Sequence, residues 1–439
     1  MPILDYGSSL YGSAKDNKLK KLNVVHHTAL RMVSGAFRTS PIVSLLAECG
    51  QPSLQVRRNI LLSNYVYKVA SNPDHPVYTL FFNLALRINI RNENLPKTLI
   101  ARFRLLEQDI PLNPRYTYKK SATEEPWCFI LPKVRLLTST PKSSLIHPEV
   151  TQLHHAFRDE HIENYMLCYT DGSKTENNTG GAYLFNGEIC QFKLNTICSV
   201  FTAELVAILK CLDSIINFIQ ESLITKNFII CSDSKSALLA IQNCFSDSIL
   251  VCEILSKILK IYILGHTVRF LWLPSHFGIR ENDIVDNAAK NSHLSRLDPY
   301  YTHEDMRNTM KNKQRKVWLQ EWEMQPETNK LRKIKKDTKL WKSSHRETRV
   351  EEMIICRLRI GHTKATHKHL LERKDPPVCD LCGTSPLTVK HWLTECTRLR
   401  ELRRKHHLGT NMKEILDDDV DSIDRCLNFL REAEIFDTI

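Results

Sequence analysis

The fold class is decided by residues 165–194, YMLCYTDGSKTENNTGGAYLFNGEICQFKL. An apolar run over 165–170 opens the stretch, Gly180-Gly181 marks a turn, and two further runs at 182–185 and 188–194 flank Asn186-Gly187. Asn-Gly between two apolar runs is a strong β-hairpin signal, because tight hairpin turns need positive φ at both central residues. The stretch therefore predicts three strands in a meander.

The residues that follow alternate between helical and strand patterns. Helices are predicted at about 202–218, 235–243, 248–262 and 282–292, and strands at 227–231 and 268–272. A meander followed by alternating helices and strands is typical of a mixed sheet packed by helices. The predicted fold class is α/β, with a mixed five-stranded sheet, an N-terminal helical segment and a helical C-terminal region.

Four acids fall where this pattern would bring them together. Their positions are the end of the first strand, the start of the first helix, the end of the fourth strand and the last helix, namely Asp171, Glu204, Asp233 and Asp286. Strand ends and helix starts meet at one edge of such a sheet. Carboxylates this close need cations, and Mg²⁺ fits oxygen ligands best, with Mn²⁺ as an alternative. Two such ions about 4 Å apart support phosphodiester hydrolysis.

Each acid also has a simpler interpretation. Asp171 precedes Gly172 and would suit a turn, while Glu204 would suit the first turn of a helix. Taken singly, a surface carboxylate or a helix cap is the better explanation. The ordered set of four favours a metal site.

Four sequence blocks resemble the signature of type 1 ribonuclease H: YTDGS at 169–173, FTAEL at 201–205, CSDSKSAL at 231–238 and WLPSHFGIRENDIVDNAAK at 272–290. The resemblance implies a domain over 161–296 that hydrolyses the RNA strand of RNA/DNA hybrids with two metal ions. It places the four acids at the family's metal-binding positions. It makes His276 the mobile-loop histidine that handles a proton or eases product release, whereas a lone loop histidine is otherwise an ordinary solvent-exposed residue.

The last block departs from the family pattern. Glu281-Asn282-Asp283 stands where the family has Gly-Asn-Glu, so a stiffer or displaced turn is one expectation here. Recognition of 2′-hydroxyls distinguishes RNA from DNA. The residues nearest the acids, Gly172, Ser173 and Thr202, are candidate substrate contacts, with turn and cap roles as the alternative.

A second candidate metal site lies near the C-terminus. Cys379, Cys382, His391 and Cys396 have the ligand types and spacing, CxxC-x8-H-x4-C, of a structural tetrahedral Zn²⁺ site. A chance CxxC is the alternative, since the chain has 14 cysteines. Filled ligand positions would make the zinc structural rather than catalytic.

Both flanks resemble parts of non-LTR retrotransposon polyproteins of the jockey and I-like kind. The stretches are LDYGSSLYGSA at 4–14, ALRMVSGAFRTSPI at 29–42, and CRLRIGHT at 356–363 with the Cys/His cluster. The resemblance implies a helical reverse-transcriptase remnant at 1–72, a Pro-rich linker at 73–160, the nuclease domain, a basic helical segment at 297–350, and a C-terminal region at 351–439. No polymerase activity is expected.

Composition sets the class of partner. A net charge of +12 and a pI near 9.0 favour a polyanion such as nucleic acid. No apolar run is long enough to span a membrane, and no small-molecule cofactor is expected. The cysteines and the lack of a secretory signal predict reduced thiols in an intracellular protein, nuclear or cytoplasmic. Residues 305–346, rich in Lys, Arg and Trp, predict either a solvated face over buried tryptophans or a grip on phosphates.

Three functions remain open at this point. The first is a hydrolase that cuts RNA/DNA hybrids, favoured by the four acids. The second is an inactive nucleic-acid-binding remnant, favoured by the altered turn at Glu281. The third is another nuclease or integrase chemistry on the same fold, which the blocks around Glu204 and Asp233 disfavour.

Overall fold

The computed structural model describes residues 2–82, 98–107, 117–119, 125–140, 142–222 and 225–439. The chain forms two compact units, which are described separately. Unit 1 comprises Met1–Leu62, Asn89–Leu106 and Met310–Ile439, and unit 2 comprises Ser63–Ile88 and Glu107–Thr309. In the described ranges, no helix is both long enough and apolar enough to cross a membrane.

The α-helices and strands are numbered in chain order. The helices are α1 Pro2–Asp5, α2 Ser8–Tyr11, α3 Asp16–Ser34, α4 Ile42–Glu48, α5 Leu54–Ala70, α6 Tyr78–Phe82, α7 Leu99–Glu107, α8 His147–His161, α9 Val200–Glu221, α10 Lys235–Ile241, α11 Ile249–Ile263, α12 Arg280–Lys290, α13 His303–Glu323, α14 Arg349–Ile360, α15 Lys364–Glu372, α16 Arg400–Lys405, α17 Met412–Leu416 and α18 Val420–Glu432. The strands are β1 Val134–Leu136, β2 Tyr165–Lys174, β3 Thr179–Phe185, β4 Glu188–Leu194, β5 Asn227–Ser232, β6 Val268–Trp272 and β7 Leu297–Asp298.

Unit 2 is built on a mixed sheet of strand order β1-β6-β5-β2-β3-β4-β7. The pairs β2–β3 and β3–β4 are antiparallel, and the remaining pairs are parallel. Asn186 and Gly187 both have positive φ, 48° and 82°, which confirms the predicted hairpin turn. The α/β fold class is confirmed, and the five predicted strands form the centre of the sheet. Two short edge strands, β1 and β7, complete it.

Strand β2 is longer than the sequence pattern predicted. Its parallel pairing with β5 ends at Thr170 and Ser232, but its antiparallel pairing with β3 continues to Lys174. Asp171 therefore lies inside the strand, whereas the sequence pattern predicts it at the end of the strand. Asp171 is still the first residue of β2 beyond the parallel pairing with β5. This position matters for the site described below.

Helices cover both faces of the sheet. Side chains of α8 and α12 share one core with alternate strand residues, among them Val150, Tyr169, Cys231, Leu271 and Val285. The opposite face packs against α9, which contributes buried residues along most of its length. The centre of β2 and nearly all of β5 are buried, as is typical of strands that are covered on both faces and have continuous apolar runs.

The segment expected as a Pro-rich linker, 73–160, contributes ordered elements to this unit. Strand β1 pairs with β6, and α8 packs in the core through Val150 and Phe157, which are 0% and 7% exposed. Residues 83–97, 108–116, 120–124 and 141 of that segment lie outside the described residues. Proline density predicts breaks in secondary structure, but it does not predict the short helices and strands that form between those breaks.

Unit 1 has its own core, which joins the N-terminal helices to the last third of the chain. Leu45, Trp322, Trp341, Ile355 and Phe429 belong to one buried cluster. Burial of Trp318, Trp322 and Trp341 agrees with the predicted alternative in which the tryptophans of 305–346 lie in a core. Arg359 is buried beside them, and its guanidinium stacks 4.1 Å from the Trp341 ring.

Candidate active site

Three of the four predicted acids meet at one edge of the sheet. Asp171 and Asp233 each follow the last parallel pair of β2 and β5, Thr170 and Ser232. Glu204 reaches them from the first turns of α9. One carboxylate oxygen from each acid lies within 4.8 Å of the others. The sequence pattern predicted that four acids meet here, and the structure brings three of them together.

Gly172 allows α9 to approach the strand closely. A Cβ atom at this position would lie 2.4 Å from the Glu204 backbone nitrogen, a distance that no side chain tolerates. The backbone N–H of Gly172 also donates to the carboxylates of Asp171 and Glu204, which lowers their pKa against the larger opposing effects. Gly172 thus acts on the acids through packing and its amide. Ser173, the next residue, is half-buried and pairs with Gly180.

The cluster is electrostatically unfavourable without a cation. Burial, together with the charges of Asp233 and Asp286, raises the pKa of Asp171 to about 7. Burial and the charges of Asp171 and Asp233 raise the pKa of Glu204 well above its usual value. One oxygen of Glu204, Oε2, is buried and has no hydrogen-bond partner among the described residues. An unpartnered buried carboxylate oxygen facing two other acids fits a hard divalent cation.

Asp286 borders the cluster but is held by a lysine. Lys290, one helical turn later on α12, places its Nζ 2.6 Å from Asp286 Oδ2. This hydrogen bond raises the pKa of Lys290. The charge of Asp286 is nevertheless close enough to raise the pKa of Asp171. Lys290 was not among the predicted site residues, although its i,i+4 spacing from Asp286 is a recognisable ion-pair signal.

The altered turn before Asp286 leaves the helix intact. Glu281 lies in the first turn of α12, where acidic side chains interact favourably with the helix dipole. It is not among the described non-glycine residues with positive φ, so its backbone needs no glycine. Helix α12 begins at Arg280 and continues through Glu281 without a break.

His276 lies on an exposed loop between β6 and α12. Its side chain is 67% exposed, and its Nδ1 lies 4.0 Å from Asp286 Oδ2. The backbone of His276 is left-handed, with φ of 64°, a conformation that is uncommon outside glycine. The loop thus directs the imidazole toward the acidic edge and leaves it accessible to solvent.

Thr202 does not face the acid cluster. Its hydroxyl donates to Asp305, at 2.8 Å from Oδ1, and its amide is capped by Ser199. Asp305 is buried and also accepts from the Ser199 amide and from Thr302. This carboxylate therefore ties the start of α9 to the start of α13. Sequence reasoning missed Asp305, although Thr302-x-x-Asp305 has the spacing of a capping box.

Asp233 is fixed through its backbone. The indole Nε1 of Trp272 donates to the Asp233 carbonyl at 3.0 Å, and Ser234 donates its amide to Ser232 Oγ. These bonds set the turn between β5 and α10, so the Asp233 carboxylate stays at the sheet edge beside Asp171.

The second predicted metal site is also assembled. Side-chain ligand atoms of Cys379, Cys382, His391 and Cys396 all lie within 4.8 Å of one another, and the positive φ of Gly383, 70°, closes the turn after Cys382. Thiolates about 2.3 Å from one tetrahedral zinc would lie roughly 3.8 Å apart. Hydrogen bonds from Thr384 lower the pKa of Cys382 to about 6. The cluster is consistent with a zinc-binding motif.

Comparison with known proteins agrees with this geometry. The RNase H family model matches residues 163–293, from just before β2 to just after α12. No curated protein matches the chain. The matched residues contain the three converging acids, Asp286 and His276. Residues 163–293 form an RNase H domain.

Proposed function

We propose that this chain hydrolyses the RNA strand of RNA/DNA hybrids and depends on divalent metal ions. The observation that carries the proposal is the group of Asp171, Glu204 and Asp233, in which Asp171 and Glu204 are buried. One oxygen of Glu204 has no partner in the part of the chain that the structure describes. An RNase H domain implies a nucleic acid substrate. Buried acids with a raised pKa, such as Asp171 and Glu204, are typical of functional sites.

The acidic residues of the site would bind metal ions, and His276 would handle a proton. Asp171, Glu204 and Asp233 would hold Mg²⁺ or Mn²⁺, with Asp286 as a fourth ligand. A pair of such ions supplies an activated water and neutralises the phosphodiester charge. His276 is accessible and 4.0 Å from Asp286, so it is placed to carry a proton at the edge of the site. Its exposure also lets it move with the loop.

Recognition of RNA would come from the residues beside the acids. Gly172 and Ser173 remain candidates, since β2 presents them next to Asp171. Thr202 contributes indirectly, because its hydroxyl is taken by Asp305 and serves to orient α9. Hydrogen bonding to 2′-hydroxyls would then distinguish the two strands of a hybrid.

The Cys/His cluster has a structural role in the proposal. Cys379, Cys382, His391 and Cys396 would hold one Zn²⁺ with every ligand position filled. Three of the four ligands are buried, and Arg403 donates to the Cys396 carbonyl at 2.7 Å. A metal in this place would stabilise the fold around it and would not act in the reaction.

We further propose that the chain derives from the C-terminal part of a retrotransposon polyprotein and is intracellular. The support is the resemblance of 4–14, 29–42 and 356–363 to such polyproteins, together with the Cys/His spacing. The domain limits predicted from that resemblance, including the nuclease domain at 161–296, belong to the same proposal.

One observation favours an inactive nucleic-acid-binding protein as the second candidate. Lys290 pairs with Asp286 at 2.6 Å, and an ammonium group there competes with a cation for this carboxylate. In the active protein, a metal ion bound at this Asp286 oxygen would displace Lys290. In the inactive one, Lys290 keeps its place.

Cleavage assays on the full chain distinguish these candidates. RNA/DNA hybrid labelled on either strand, duplex DNA and duplex RNA are incubated with the protein and Mg²⁺. We expect cutting of the RNA strand of the hybrid and of no other strand. Binding of the hybrid without any cutting would support the inactive protein, and cutting of DNA would support a different nuclease chemistry.

A further inference from the structure

A stack of three aromatic rings with an arginine at each end lies on unit 2, away from the acid cluster. The Arg135 guanidinium lies 5.2 Å from the centre of the Phe157 ring. Phe157 stacks on His161, with centroids 4.2 Å apart and planes at 16°. At the far end, the Arg269 guanidinium lies 4.8 Å from the Tyr165 ring. The rings of His161 and Tyr165 are 5.8 Å apart, which completes the series.

This stack borders a cleft of about 520 Å³ between β1, β6 and α8. The charged or titratable groups that line the cleft are Lys133, Arg135, His161 and Arg269. No described acidic residue lines it. Within the described ranges, no carboxylate oxygen lies within ion-pairing distance of Lys133, Arg135 or Arg269, while His161 is 3.7 Å from the exposed Glu160.

The stack holds the guanidinium groups without using their hydrogen-bond donors. Phe157 is 7% exposed and belongs to the core, so its ring is a fixed support for Arg135. A guanidinium lying on a ring keeps its N–H groups directed outward in its plane. Two arginines held this way, with no carboxylate partner among the described residues, present the planar donor sets that bind phosphate oxygens in pairs.

The His161 ring is oriented by its own helix. Its Nδ1 lies 2.9 Å from the Phe157 carbonyl oxygen and donates to it. This bond leaves Nε2 without a partner among the described residues and fixes the ring against Phe157. The Phe157 ring is contacted by Arg135 and by His161, and Tyr165 does not line the cleft. The cleft therefore offers charge and hydrogen-bond donors rather than a surface for base stacking.

The position of the cleft relates it to the acid edge of the same sheet. Arg269 precedes Trp272 by three residues on β6, a separation of about 10 Å along a strand. Trp272 contacts the Asp233 carbonyl directly. A duplex seated at the acids and extending for several base pairs is long enough to reach the cleft.

We propose that the cleft of Lys133, Arg135, His161 and Arg269 is an auxiliary site for the phosphodiester backbone of a nucleic acid. Because its ligand is the substrate, the site rests on the proposed function. It lies partly outside the matched residues 163–293, since β1 and the whole of α8 precede them. The chain would thus add a phosphate-binding site of its own to the RNase H domain.

The test is the salt dependence of binding by the full chain in EDTA, where a metal-dependent nuclease does not cut. A labelled RNA/DNA hybrid is titrated with wild type, R135Q/R269Q and R135K/R269K. Each phosphate contact contributes about 0.9 to the slope of log affinity against log salt. Loss of two contacts in R135Q/R269Q should therefore shrink the affinity ratio between about 50 and 200 mM salt roughly tenfold. R135K/R269K keeps the charge and should retain most of the slope.

The control R158Q/K260Q removes the same number of charges from α8 and α11 outside the cleft. It should keep the wild-type slope. Circular dichroism of each variant checks that it is folded. A folded R135Q/R269Q with the wild-type slope, or an equal loss in the control, would overturn the site. Competition by inorganic phosphate as strong as by the hybrid would also overturn it, because the ligand would then be a small anion.

This experiment separates the site from the proposed function. Binding in EDTA does not depend on catalysis. A chain that shows the arginine-dependent slope but cuts no strand in Mg²⁺ contradicts the nuclease and leaves the cleft in place. A chain that cuts the hybrid while R135Q/R269Q binds like wild type contradicts only the cleft.

Discussion

The pKa of Asp171 is raised to about 7 by burial and by the charges of Asp233 and Asp286, whereas an unfolded aspartate titrates near about 3.9. Between these values the folded chain holds a proton that the unfolded chain has released, so stability falls as pH rises. The loss is complete above the folded pKa. Asp171 therefore destabilises the metal-free protein at neutral and alkaline pH.

Replacing Asp171 with Asn should raise the melting temperature of the metal-free protein at about pH 8 and give little gain at about pH 5, where Asp171 is protonated. Thermal unfolding in EDTA measures this. Asp213→Asn, at a half-buried acid paired with Lys257, is the control and should not be stabilised. Equal melting temperatures for wild type and Asp171→Asn at alkaline pH would show that the charge of Asp171 does not destabilise the metal-free protein.

For single residues, the sequence identifies those whose chemistry is unusual for their position. Asp171, Glu204 and Asp233 could be found because their order matched the expected strand ends and helix start. Lys290 and Asp305, which pair with or orient other side chains, could not be found from the sequence. Lysine and aspartate are common residue types on helices, so neither residue stands out. Thr202 was expected near substrate, but its hydroxyl bonds to Asp305, a contact that spans about a hundred residues.

Among the elements, helix α8 supports the loop that carries His276. Thr151 Oγ1 donates to the Phe277 carbonyl at 3.3 Å, and the rings of His147 and Phe277 lie 4.9 Å apart. Val150 packs in the same core as Phe277 and Leu271. The sequence gives no strong signal for this helix, because it lies in a proline-dense segment and its apolar face is short. Its role is set by tertiary contacts.

Val150→Ala should lower the free energy of unfolding of the sheet by about 1–3 kcal/mol, since it leaves a cavity in a closed core. Hydrogen exchange of the β5 amides in the full chain reports on this region alone. Leu153→Ala, at a position 46% exposed on the same helix, should change it by less than about 0.5 kcal/mol. Unchanged exchange in Val150→Ala would mean that α8 is not part of the folded core.

For the whole molecule, contacts distant in sequence determine how segments combine. Leu45 and Ile355 share the core of unit 1, although the sequence pattern divided these regions into separate segments. Glu48 accepts from the Trp341 indole at 2.7 Å and lies 3.8 Å from Arg359, so this core also encloses charge. Periodicity along the chain shows which faces are apolar, but it cannot show which distant faces pack together.

The zinc proposal is tested at this scale, because the four ligands lie within unit 1. Purified protein should contain one zinc per chain, and strong chelators should lower its melting temperature. Cys396→Ser should lose the metal. Cys128→Ser, at an exposed cysteine outside the cluster, should keep it. A wild-type chain without zinc, or a Cys396→Ser protein that retains it, would contradict the assignment.

The central claim is that the clustered carboxylates drive metal-dependent cleavage, and single-turnover cutting of an RNA/DNA hybrid across a Mg²⁺ titration tests it most directly. Wild type should cut the RNA strand with a rate that rises and saturates with Mg²⁺. Asp171→Asn and Glu204→Gln should fall below about a hundredth of that rate, while Asp213→Asn should match wild type. Cutting that persists in EDTA, or that survives both acid substitutions, would contradict the account.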